Sequence, residues 1–113
     1  MSGLTTHVLD TMHGKPGAGI ALRLWRGETC LIETTTNADG RCDSPLLTGE
    51  TLEAGAYRLE FAVGDYFRRL GVALPDPAFL ETVIIAFGVA EAAGHYHVPL
   101  LVSPYGYSTY RGS

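Results

Sequence analysis

Apolar residues recur at every second position in this chain, and that rhythm constrains the fold more than any other feature. Tyr57, Leu59, Phe61 and Val63 alternate with Ala56, Arg58, Glu60 and Ala62. A period of two puts one set on a single face of a strand and the other set on the opposite face. Ile20, Leu22 and Leu24 oppose Ala21, Arg23 and Trp25 in the same way. Val83, Ile85, Phe87 and Val89 make a third row, and Tyr96, Val98, Leu100 and Val102 a fourth. Leu4, Thr6 and Val8 form a shorter one near the start. Residues 28–35 are β-branched and threonine-rich, so they also read as a strand. Arg26-Gly27-Glu28 is the hairpin turn before it, and Pro104-Tyr105-Gly106 leads into a last strand over residues 107–111. Only residues 65–70 break the rhythm. Asp65 is placed to cap a short helix and Gly71 to end it, and Pro75 and Pro77 exclude regular structure just beyond. The pattern is all-β: about seven strands in a two-sheet sandwich, with one short helix.

A chain of 113 residues, 46% hydrophobic, suits one domain over residues 1–113 with a real core. No internal repeat, linker or low-complexity segment divides it. The formal charge is −4, and Lys15 is the only lysine among eight scattered basic residues. Neither a nucleic-acid stripe nor a polybasic membrane patch can be drawn from them. The longest apolar stretch, residues 83–90, is far shorter than the ~20 residues that span a bilayer. The first residues lack the basic-then-apolar pattern of a secretory signal. Cys30 and Cys42 fit no common metal or redox spacing, so both are expected reduced and partly buried. These readings together point to the cytoplasm.

No phosphate loop, dinucleotide fingerprint, nucleophile elbow or zinc-protease motif is present. The unusual residues lie at the ends. In His95-Tyr96-His97-Val98-Pro99-Leu100-Leu101 the two imidazoles share a face with Pro99 and Leu101, away from the apolar row. An apolar face turned outward is usually covered by a partner. Pro99 lacks a ladder donor, which suits a strand near an edge or a bulge. The histidines have three readings: half-exposed side chains with ordinary hydrogen bonds, a zinc-binding pair, or proton-transfer groups titrating near neutrality. His7 turns outward with Thr5 and Leu9. Arg41 follows the strong turn sequence Asn37-Ala38-Asp39-Gly40 and so should stand exposed. The chain ends Tyr110-Arg111-Gly112-Ser113.

Thr5-Thr6-His7-Val8-Leu9-Asp10, Asn37-Ala38-Asp39-Gly40-Arg41, and the block from His95 through Tyr110-Arg111-Gly112-Ser113 together resemble the 5-hydroxyisourate hydrolases. These are transthyretin-related enzymes of urate breakdown. The resemblance runs over essentially the whole chain. One departure is Gly17, where alanine commonly follows the proline. The resemblance implies a transthyretin-like sandwich, assembled as a homotetramer that is a dimer of dimers. It implies hydrolytic opening of the lactam ring of 5-hydroxyisourate, without metal or organic cofactor. His7, Arg41 and His97 are the implied catalytic residues. His7, Arg41, Tyr110, Arg111 and Ser113 would bind substrate, and His95 would support them. The rival readings are a small-ligand carrier on the same fold and a metal-binding sandwich without catalysis.

Overall fold

The alternating rows lie on strands, and their apolar side chains close the core between two sheets. The structure, a computed structural model, describes residues 2–112. In chain order the elements are β1 (Gly3–Asp10), β2 (Lys15–Pro16), β3 (Ala21–Arg26), β4 (Thr29–Thr35), β5 (Leu47–Thr48), β6 (Gly55–Phe61), α1 (Val63–Arg69), β7 (Val83–Val89), β8 (His95–Ser103) and β9 (Gly106–Thr109). One sheet runs β2-β1-β8-β9, with β5 also paired to β1. The other runs β4-β3-β6-β7. Leu4, Val8, Val98 and Leu100 from the first sheet meet Leu22, Leu24, Leu59, Phe61 and Ile85 from the second. Burying each such side chain contributes roughly 1.5–3 kcal/mol. Thr6 shares this inward face, and its hydroxyl is satisfied by donating to the Val98 carbonyl at 2.7 Å. No helix among the described residues is long and apolar enough to cross a membrane.

Several expectations need correction. The helix begins at Val63, which the alternation assigned to the preceding strand. Asp65 is not its cap: Ala62 occupies that place and makes no side-chain cap bond. The Gly64 N–H donates to the Glu81 carbonyl instead, so a distant loop satisfies one of the orphan donors of the first turn. Cys30 is exposed rather than partly buried, whereas Cys42 is half-buried against the core. The cause is a register shift between β3 and β4. Leu24 pairs with Ile32 but Trp25 pairs with Cys30, so Leu31 is extra and Cys30 moves out of the inward phase. Phe87 is only half-buried, stacked on Tyr57 at 5.8 Å. The two-residue strands β2 and β5 carry no alternation and were not anticipated.

The expectation for Pro99 was an edge or a bulge, yet β8 is an interior strand. It lies between β1 and β9. Leu100 pairs with Thr109 and His97 bridges to Gly112 in the same register, but the ladder lapses between them, at Pro99. The missing N–H is therefore tolerated where pairing is interrupted. The last strand ends at Thr109, short of Arg111, and the chain touches the sheet once more at Gly112.

β1 and β8 run parallel, and their register matters most for function. Thr5 lies opposite His97, His7 opposite Pro99, and Leu9 opposite Leu101. All six are odd-numbered residues on the outward face of the sheet. The free edge of β1 is lined in turn by β5 at Leu4, by Arg41 at His7, and by β2 at Leu9.

Candidate active site

The turn before Arg41 is built by its own side chains. The Asn37 Oδ1 accepts the Asp39 N–H at 2.9 Å and the Arg41 N–H at 3.2 Å, while its Nδ2 donates to Asp43 Oδ1 at 2.9 Å. The Gly40 carbonyl then accepts the Val8 N–H at 2.8 Å, fastening the turn to β1. Gly40 has φ +76°, and a Cβ there would run into the Val8 carbonyl oxygen and crowd Pro16. Only glycine meets both demands. This turn delivers Arg41, 34 residues away along the chain, to the backbone of His7.

Arg41 is exposed, as expected from its position after the turn. Among the described residues its guanidinium makes no hydrogen bond or ion pair, so its donors are available. It opens onto a cavity of about 460 Å³ lined also by Thr5, Cys42, Asp43, His95 and His97. His97 is half-buried there, and its Nδ1 lies 2.8 Å from the Thr5 hydroxyl. Burial, reinforced by the charge of Arg41 and by His7 and His95, pushes its pKa below the ordinary imidazole value of 6.5. The shift favours the neutral imidazole, the form that can accept a proton. His7 sits diagonally across from it on the same face, with Nε2 3.0 Å from the Asp39 carbonyl oxygen.

The tail approaches from the other side of β8. The Gly112 N–H donates to the His97 carbonyl at 2.7 Å. A Cβ on Gly112 would come within 2.7 Å of His97 Cδ2, so the backbone packs directly on the imidazole. The Arg111 guanidinium lies 4.3 Å from the centre of the Tyr96 ring and donates to the His95 carbonyl at 3.4 Å. Tyr96 is itself held, its hydroxyl accepting the Ala90 and Glu91 N–H groups at 3.1 Å each.

The structure thus gathers Arg41, His95 and His97 around one cavity, with His7 beside them. Tyr110 and Arg111 do not line it; they border a separate pocket with Tyr96 and Phe87. Ser113 lies outside the described residues. No group of three or more His, Cys, Asp or Glu side chains among the described residues is placed to hold a metal ion. Sequence reasoning missed Thr5 as a site residue and carried Gly112 only as part of the tail from Tyr110 to Ser113. Thr5 was legible as an outward neighbour of His7, but nothing local paired it with His97.

The model of the HIUase/Transthyretin family matches residues 4–112. The chain belongs to that family. A relative named 5-hydroxyisourate hydrolase, from Ralstonia nicotianae, is 62% identical over the full length of both chains. The solved 5-hydroxyisourate hydrolase of Klebsiella pneumoniae superposes with a TM-score of 0.85 at 37% identity, again over all of both chains. A solved (S)-allantoin synthase superposes with a TM-score of 0.92 at 39% identity; 99% of this chain matches, but it spans only 44% of that longer one. The family contains both enzymes and transthyretins, so membership defines the sandwich and leaves chemistry to the site.

Proposed function

We propose that this chain hydrolyses the lactam ring of 5-hydroxyisourate, giving 2-oxo-4-hydroxy-4-carboxy-5-ureidoimidazoline in urate breakdown. The observation that carries this reading is the convergence of Arg41 and His97 on one open cavity. Relatives of more than half identity over the whole chain that bear the hydrolase name support it.

Water adds to the lactam carbonyl carbon, the ring C–N bond breaks, and the nitrogen leaves with a proton. A neutral imidazole takes the proton from the water, and His7 and His97 share the proton work as a coupled pair. Each such acid–base contribution amounts to roughly 10²–10⁴-fold. The Arg41 fork meets the developing oxyanion or grips the oxygen-rich substrate. His95 supports them. Tyr110, Arg111 and Ser113 would bind the substrate's polar edge. No cofactor is required.

The same reading makes the protein a homotetramer, a dimer of dimers. Leu9 and Leu101 stay half-exposed on the outward face with the histidines, while Pro99 is already buried within the chain, and a second copy would cover that face and bring its tail residues to the cavity. The unpaired Cys30 and Cys42 suit the reducing cytoplasm. A carrier would line its channel with apolar and small groups, whereas arginine and histidines line this cavity.

The deciding experiment generates 5-hydroxyisourate from urate in situ and follows its ultraviolet decay. The protein is expected to hasten the decay well beyond the spontaneous rate; an unchanged rate would overturn the assignment. Light scattering at assay concentration should give four times the chain mass, and a monomer would refute the shared site.

A further inference from the structure

Two adjacent threonines on β1 have different duties. Thr6 faces inward and donates to the Val98 carbonyl. Thr5 faces outward, directly opposite His97 in the parallel register, with its hydroxyl 2.8 Å from His97 Nδ1. Among the described residues that contact is the only hydrogen bond of the Thr5 side chain, so the hydroxyl has no structural duty elsewhere. It also lines the cavity that His97 and Arg41 share.

The His97 ring is held from two directions. Gly112 packs against its Cβ and Cδ2, leaving no room for a side chain. Thr5 engages Nδ1. Nε2 has no protein partner among the described residues. A neutral imidazole carries one proton, and the group hydrogen-bonded to one nitrogen decides which nitrogen bears it. If Nδ1 carries the proton and donates to the Thr5 oxygen, the Nε2 lone pair is free to accept a proton from water. If Thr5 donates to Nδ1 instead, Nε2 carries the proton and cannot act as a base.

We propose that Thr5 is a positioning residue for the hydrolytic reaction, its hydroxyl oxygen accepting a hydrogen bond from His97 Nδ1 and so presenting Nε2 as the base. This rests on the hydrolase reading above. When Nε2 takes a proton from water, the imidazolium keeps the same Nδ1–H to Thr5 bond, so no ring flip interrupts the step. The charged and titratable groups around His97 are Arg41, Cys42 and Asp43 from the turn, His7 from β1 and His95 from β8. Three of these five are cations or become cations on protonation. A neutral acceptor such as a threonine oxygen stabilises the imidazolium without requiring a buried carboxylate.

The test uses the full-length protein with Thr5→Val, which keeps the β-branched shape, and Thr5→Ser, which restores the hydroxyl. Nitrogen-15 NMR of the histidine side chains at pH 7 reads the tautomer without substrate. The expected wild-type signal for His97 is a protonated Nδ1 and a bare Nε2. Thr5→Val should mix the tautomers and lower the His97 titration midpoint, because an acceptor for the imidazolium is lost. Thr5→Ser should restore both. In turnover, Thr5→Val should lower kcat about tenfold with little change in KM, the lower end of what orienting partners of functional histidines contribute. A protonated Nε2 in the wild type would overturn the proposal, as would Thr5→Val with wild-type kcat and an unchanged His97 spectrum. If the wild type shows no turnover at all, the hydrolase reading falls, while the NMR spectra alone still decide whether Thr5 sets the tautomer.

Discussion

Replacing Tyr66 by phenylalanine removes one oxygen from a buried hydrogen bond and leaves the ring in place. Tyr66 lies on α1 and is 2% exposed; its hydroxyl donates to Asp10 Oδ2 at 2.7 Å, at the end of β1. That carboxylate is buried and also accepts the backbone N–H of His13 at 3.0 Å and pairs with His13 Nδ1 at 2.6 Å. Burial alone would raise the Asp10 pKa, but the bonds from Tyr66 and His13 outweigh it and bring the carboxyl below its ordinary 3.8. The edge packing of Tyr66 on Phe67, at 5.0 Å and 70°, survives the substitution. What is lost is a hydrogen bond to a charged group, worth about 1.5–3 kcal/mol. With an unfolding entropy of roughly 2.1 cal/mol/K per residue over this chain, a loss of 2 kcal/mol lowers Tm by about 8 °C. Thermal unfolding by circular dichroism, at one protein concentration, measures it. The pH dependence has a definite sign. A carboxyl with a depressed folded pKa contributes stability above its unfolded value, and that stability is lost as pH falls through the folded value. The gap between Tyr66→Phe and wild type should therefore be full at pH 7 and shrink as pH drops below 3.8. A gap under 1 °C at pH 7, or one that persists undiminished far into acid, would refute the account.

Arg41→Glu should lower turnover by at least about 10²-fold with an unchanged Tm, since the guanidinium is exposed and makes no bond within the described residues; steady-state rates and a melting curve check both halves. Gly112→Ala should push the His97 ring aside and lower kcat tenfold or more while the sandwich stays folded, because small misplacements of a reacting group are costly. Deleting residues 110–113 should remove activity and leave the β-sheet circular dichroism intact. In a thiol-labelling time course Cys30 should react quickly and Cys42 slowly, since burial and the nearby Asp43 carboxylate push the Cys42 thiol up.

The strand faces were legible because the period of two is a local property. Tyr57, Leu59 and Phe61 turn inward wherever the strand ends up, and Arg58 and Glu60 do not. The turn that presents Arg41 was legible for the same reason: Asn37 and Gly40 carry its geometry in their own side chain and backbone freedom. The helix start was not legible, since the Glu81 carbonyl, 17 residues further on, satisfies Gly64 and removes the need for a capping side chain. Cys30 was misplaced because a bulge is a property of the β3–β4 pair and not of either strand.

The residue types needed for the chemistry, and the face each occupies, follow from the order of amino acids alone. Their meeting does not. Thr5 and His97 are 92 residues apart, and they touch only because β1 and β8 pair in parallel in one register. A slip of one residue would send either row to the other face and bury the imidazoles. That register is chosen by the whole core closing at once, through contacts distant in sequence, and no local stretch of this chain encodes it.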